Sequence, residues 1–150
     1  MQTHKDFIKI AIKCAESAVK NGEYPFGAIV VKNGVVIGRS DIRTEEFDPT
    51  AHAEIRAIKN ACLNLKIYEL WDCVLYSSCE PCQMCKSAIK WVGIKEVYFA
   101  MDKNDAKAIK YFDEIFFDDV CSIKEHKIEN PDLLNFMLES VSYTHLRAHE

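Results

Sequence analysis

The sequence predicts an α/β fold in which a mixed sheet carries helices on both faces. Three observations lead there. Apolar residues recur at helical spacing over residues 7–19 and 51–61. Short apolar runs at 28–31, 35–38, 73–76 and 97–100 lack that spacing and read as strands. The first two runs flank Asn33-Gly34, a tight-hairpin signal, so the layout is a leading antiparallel pair followed by strand–helix–strand crossovers.

Taken in order, Phe7, Ile8, Ala11, Ile12, Ala15, Ala18 and Val19 form one apolar stripe, and Asn21-Gly22 ends that helix. Pro25-Phe26-Gly27 leads into the strand Ala28 to Val31, and Val35 to Gly38 is its return strand. A polar loop covers residues 43–48. Pro49-Thr50 opens a second helix, which places His52 and Glu54 in its first turn, at the positive end of the helix dipole. Cys73 to Tyr76 is the third strand. Glu80-Pro81 opens a third helix, with Pro81 in the first turn where its missing N–H has no partner to lose. Cys82 and Cys85 are three apart and share a face of it, at a helix start that lowers thiol pKa. After Trp91-Val92-Gly93, Val97 to Ala100 is the fourth strand. Lys103 to Lys110 reads as a polar helix whose lysines face solvent. Phe112 to Val120 mixes aromatics with acids, and Pro131 to Leu138 reads as a last short helix.

A chain of 150 residues with 49% hydrophobic and 28% charged residues fits one globular domain, assigned to residues 1–140. Residues 141–150 resemble translated adaptor sequence and are read as a non-native or disordered tail; a genuine polar terminus is the other reading. The net charge of -4 supplies no global attraction for a polyanion, so no nucleic-acid partner is expected. No apolar run approaches the roughly 20 residues of a membrane span. Met1 to Asp6 begins no signal peptide, and an odd count of seven cysteines suits a reducing compartment, so the cytoplasm is expected.

The chemistry concentrates in His52-Ala53-Glu54 and Pro81-Cys82-Gln83-Met84-Cys85. One imidazole and two thiolates make three ligands of the kind that catalytic zinc takes, leaving a fourth position to water. Glu54, two residues past the imidazole, is placed to carry protons. A closed structural site would need a fourth protein ligand. Cys79 is the nearest spare thiol, but it sits just before Glu80-Pro81 and is expected to point elsewhere. The pattern H-x-E followed by P-C-x-x-C resembles the signature of zinc deaminases.

Residues 22–117 resemble the cytidine deaminase-like superfamily, and within it bacterial guanine deaminases and purine nucleoside deaminases. The stretches that carry this are PFGAIVVKNG, DPTAHAEIRAIKNAC, LYSSCEPCQMC, SAIKW and DAKAIKYFDE. DPTAHAE is shared with tRNA adenosine deaminases. The resemblance implies a three-layer α/β/α fold with a mixed central sheet, a homodimer and bound zinc. It also implies His52, Cys82 and Cys85 as metal ligands and Glu54 as the proton shuttle. Phe26 matches an aromatic that stacks on the base, or is a core residue beside a turn. Trp91 matches a position near the pocket, or packs in the core. Asp113 matches an acid that assists proton transfer or reads the base, or caps a helix.

Asp41 stands where the family usually has Asn. Ionised Asp only accepts hydrogen bonds, whereas Asn also donates. Either Asp41 selects a substrate that presents an N–H there, or it faces solvent or is held by Arg39 or Arg43. The function expected is zinc-dependent hydrolytic deamination of a guanine-like purine base or nucleoside, with release of ammonia. Deamination of tRNA adenosine or of cytosine, and a non-catalytic zinc-stabilised interaction domain, are the alternatives.

Overall fold

The structure, a computed structural model, describes residues 1–108, 124–127, 130, 132 and 134–140. The chain divides into two compact units, Met1–Val120 and Cys121–Glu150. Within the second, a helix covers 134–140, and its Leu134, Phe136 and Leu138 are exposed. Asp113, with the whole stretch from Phe112 to Val120, and the tail 141–150 lie outside the described residues.

In the first unit the elements run α1 (His4–Lys20), β1 (Ala28–Lys32), β2 (Val35–Arg39), α2 (Ala53–Leu65), β3 (Cys73–Cys79), α3 (Gln83–Trp91), β4 (Glu96–Met101) and α4 (Lys103–Ala108). The strands lie in the order β2-β1-β3-β4. β1 pairs antiparallel with both β2 and β3, and β3 pairs parallel with β4. The predicted mixed sheet is therefore present, and its parallel pair requires a crossover, which α3 supplies.

Period-two alternation assigns the two faces. Ile29, Val31 and Tyr76 pack against Phe7, Ala11 and Cys14 of α1. Ala28, Val30, Cys73 and Leu75 face the other way, against Ala53, Ala57, Ile58 and Ala61 of α2 and Ile89 of α3. This gives three layers, with α1 on one side and α2 and α3 on the other among the described residues. The start of α1 is tied down by His4, whose ring stacks on Tyr98 at 4.1 Å while its Nδ1 lies 2.7 Å from the Tyr76 hydroxyl.

Two boundaries differ from the sequence reading, and both matter for function. α2 starts at Ala53, with His52 as an extended N-cap (φ -60, ψ 160). α3 starts at Gln83, with Cys82 as an extended N-cap (φ -70, ψ 173). Pro81 therefore precedes the cap rather than sitting inside the first turn. β3 also runs three residues further than its apolar run, to Cys79. Ser77 pairs with Ala28 on one side and Phe99 on the other, and this two-sided ladder overrides the weak strand preference of serine.

α2 lies close to the sheet because small residues meet there. A Cβ added to Gly38 would fall against the Ala57 carbonyl and within 2.7 Å of the Ala61 Cβ. Gly38→Ala should therefore push α2 off β2 and destabilise the protein by about 1–3 kcal/mol, the usual range for overpacking. Urea unfolding should show the midpoint falling accordingly; an unchanged midpoint would show that the contact yields without cost.

Candidate active site

The N-terminal ends of α2 and α3 meet on one face of the sheet. His52 occupies the N-cap of α2, Cys82 the N-cap of α3, and Cys85 sits within the first turn of α3. Neither cap residue makes a side-chain capping bond of the usual kind. Ser, Thr, Asp or Asn would ordinarily take these positions and satisfy an N–H there. Here both side chains turn instead toward a common point.

His52 Nδ1 lies 3.5 Å from Cys82 Sγ and 3.6 Å from Cys85 Sγ. The three ligand atoms all lie within 4.8 Å of one another. Tetrahedral bonds of about 2.1 Å to nitrogen and 2.3 Å to sulfur put such atoms roughly 3.6 Å apart, so the donor set fits zinc. Among the described residues no fourth His, Cys, Asp or Glu joins this group. Cys79 stays out of it, as its sequence position suggests. It is buried against Phe26 and Met101, and burial pushes its thiol up to about 11.

The thiols share their proton unequally. Hydrogen bonding from Cys85, with help from His52, holds Cys82 down to about 4 against the effect of burial. The same bond to Cys82, together with burial and the nearby Glu54 charge, pushes Cys85 up. The sequence reading lowers both thiols; only Cys82 is lowered. His52 is raised, chiefly by its bond to Cys82.

Glu54 sits in the first turn of α2 and is only 5% exposed. Burial raises its carboxyl, while hydrogen bonds from Cys85 and Ser77 oppose the shift. The Ser77 hydroxyl donates to Glu54 Oε1 at 2.8 Å.

His52, Glu54 and Cys82 line a cavity of about 200 Å³. Phe26 lines it too, so the predicted stacking aromatic stands beside the metal ligands while also packing on the core. Glu23, Arg43 and Arg56 form another part of the wall. Arg56 donates to Glu23 Oε2 at 3.0 Å, to the Ser40 carbonyl at 3.1 Å and to Glu45 Oε1 at 2.8 Å. Arg43 donates to Glu23 Oε1 at 3.2 Å. The network ties the loop after β2 to α2.

Asp41 is held elsewhere. Its carboxylate receives Arg39 Nε at 3.1 Å and Arg39 Nη2 at 3.0 Å, and it is not among the residues lining the cavity. Asn60 fixes this stretch by donating to the carbonyls of Arg39 and Ile42. Trp91 is 91% exposed and lies neither on the cavity nor in the core.

The sequence reading missed Ser77 and the Glu23–Arg56 wall. Ser77 did carry a signal: it falls at period two on the face that holds Cys73 and Leu75, where a hydroxyl is out of place. Glu23 and Arg56 are thirty-three residues apart, and no local pattern joins them.

Residues 1–101 match the family model described as "Cytidine and deoxycytidylate deaminase zinc-binding region". The guanine deaminase of Bacillus subtilis (strain 168) is 42% identical over 120 residues, covering 78% of this chain and 76% of that protein. A crystal structure of guanine deaminase from Bacillus subtilis superposes with a TM-score of 0.78 at 35% identity, covering 94% of this chain and 95% of the other. The tRNA-specific adenosine deaminase of Aquifex aeolicus (strain VF5) is 44% identical over 108 residues, covering 71% of this chain and 72% of its own length. A further solved relative, crystallised in complex with 2,6-diaminopurine, has a TM-score of 0.66 at 28% identity, covering 76% of this chain and 64% of that one. On these matches, to sequences and to solved structures alike, this chain belongs to the cytidine and deoxycytidylate deaminase zinc-binding family and is a hydrolytic deaminase.

Proposed function

We propose that the chain deaminates a guanine-like purine base, with zinc held by His52, Cys82 and Cys85 and with Glu54 carrying the proton. The observation that carries this is the single cavity on which two of the three zinc-competent ligands, a buried carboxylate and an aromatic face all open. The likeness to a guanine deaminase over most of both chains supports the purine. A cavity of about 200 Å³ is of a size to take a single base. The net charge of -4 speaks against tRNA, whose binding depends on neutralising phosphates. The Arg39–Asp41 pair spends the Asp41 charge inside the protein, which favours the reading in which Asp41 leaves guanine tolerated.

When bound, zinc supplies a Lewis acid that brings the pKa of water near neutrality. The residues do the rest. Phe26 offers a flat apolar surface on which a planar base can lie. Glu54 takes a proton from water and returns it to the leaving nitrogen. Water oxygen bonds to the amine-bearing carbon, the C–N bond breaks, and the base leaves with a carbonyl in place of the amine while nitrogen departs as ammonia. Burial suits Glu54 to this work, because a raised carboxyl pKa brings it closer to the working pH of a group that both accepts and donates.

Ammonia release measured over guanine, guanosine, adenine and cytosine should be zinc-dependent and greatest with guanine. Glu54→Ala should keep zinc and fold while turnover falls at least about a hundredfold. Release greatest with cytosine or adenine would overturn the substrate; near-normal turnover in the variant would overturn the proton carrier.

The metal-free protein offers a second test. A thiol held at about 4 is thiolate at pH 6, whereas Cys73 and Cys79, pushed up to about 11, are protonated there. Iodoacetamide at pH 6 should label Cys82 first, and equimolar zinc should protect it. Peptide mass spectrometry reads the site; uniform labelling, or labelling that zinc leaves unchanged, would contradict the ligand set.

A further inference from the structure

We propose that Ser77 is a positioning residue for the proton carrier: its hydroxyl holds Glu54 by Oε1 on the wall of the cavity. The inference rests on the reading of Glu54 as that carrier.

Ser77 is fully buried on β3, at 0% exposure. Its neighbours at period two on the same face are Leu75 and Cys79, both buried. A hydroxyl in such a place costs free energy unless it is bonded. Ser77 has one proton to give, and it gives it to Glu54 Oε1 at 2.8 Å. In return its oxygen accepts the Cys79 N–H at 3.4 Å, so donor and acceptor are both used. The backbone beneath is held on two sides, by Ala28 of β1 and Phe99 of β4. The oxygen that grips Glu54 therefore belongs to an interior part of the sheet, not to a loop.

That rigidity has a chemical use. Glu54 sits one residue inside α2, on a side chain with three rotatable bonds. Left alone, it could turn its carboxylate away from the reacting nitrogen. Cys85 also bonds Glu54 here, but as a thiolate ligand it would have no proton to give, so the bond from the sheet is the one that would hold the carboxylate in the same geometry at each turnover. Ångström-scale misplacement of a reacting group costs up to about a hundredfold in rate. Only an interaction that serves the proton transfer, rather than base binding, would act on kcat and spare KM.

The test uses the zinc-loaded protein and compares Ser77→Ala with the isosteric pair Ser77→Thr and Ser77→Val, alongside Glu54→Ala. Zinc content and thermal midpoint are measured for each, with kcat and KM for ammonia release from guanine. We expect Ser77→Ala and Ser77→Val to keep zinc and to hold KM within about twofold, while kcat drops about tenfold or more. Ser77→Thr, which keeps the hydroxyl, should recover most of kcat. The Thr/Val comparison stands even where Ser77→Ala fails to fold, because the two differ only in the hydroxyl. Equal kcat in Thr and Val, or unchanged kcat in Ala, overturns the inference. Glu54→Ala at near-normal turnover overturns instead the reading of Glu54, so the two failures are distinct.

Discussion

The N-termini of α2 and α3 converge on one face of the sheet, and His52, Cys82 and Cys85 reach a common point only because they do. Each N-cap position is given to a side chain that does not cap. A capping side chain is typically worth about 0.5–2 kcal/mol, so the fold forgoes that stabilisation twice. The two positive helix ends in turn favour negative charge at the same spot, against the burial that raises Glu54 and the bond to Cys82 that raises Cys85. Local stability and local chemistry oppose each other at these residues, which is common where a protein carries its function.

The rest of the fold holds those helix starts in register. Gly38 and the Ala53, Ala57, Ala61 stripe let α2 lie close to the hairpin. β3 presents Ser77 beneath Glu54 and ends at Cys79, three residues before Cys82. Arg56, one turn after His52, fastens the loop that follows β2 by binding Glu23, Glu45 and the Ser40 carbonyl. One part of the cavity wall is thus built from ion pairs that consume their own charges.

Much of this was legible in the residues. The helical stripe of α1, the Asn33-Gly34 hairpin and the strand runs each have a short-range physical cause, and each lies where the sequence places it. The ligand set was legible because H-x-E and P-C-x-x-C combine rare residue types at fixed spacing. Helix starts were less so. Pro49 and Pro81 mark the approach to a helix, but the N-cap is fixed by where the ligands must point, and that is a tertiary demand. Asp41 could be read as a departure from a family pattern, yet its bidentate bond to Arg39 depends on side-chain direction at the end of β2. Trp91 shows the same limit: its resemblance to a pocket residue said nothing about the end of α3, where it meets solvent.

The central claim is an open centre of one nitrogen and two sulfurs beside a buried carboxylate, and zinc K-edge X-ray absorption on the zinc-loaded protein tests it most directly. The account predicts two sulfur ligands at about 2.3 Å and two nitrogen or oxygen ligands at about 2.0 Å, one of the latter exchangeable with a small anion. A shell of three or four sulfurs, with Cys79 drawn in, would make the site a closed structural one and contradict it.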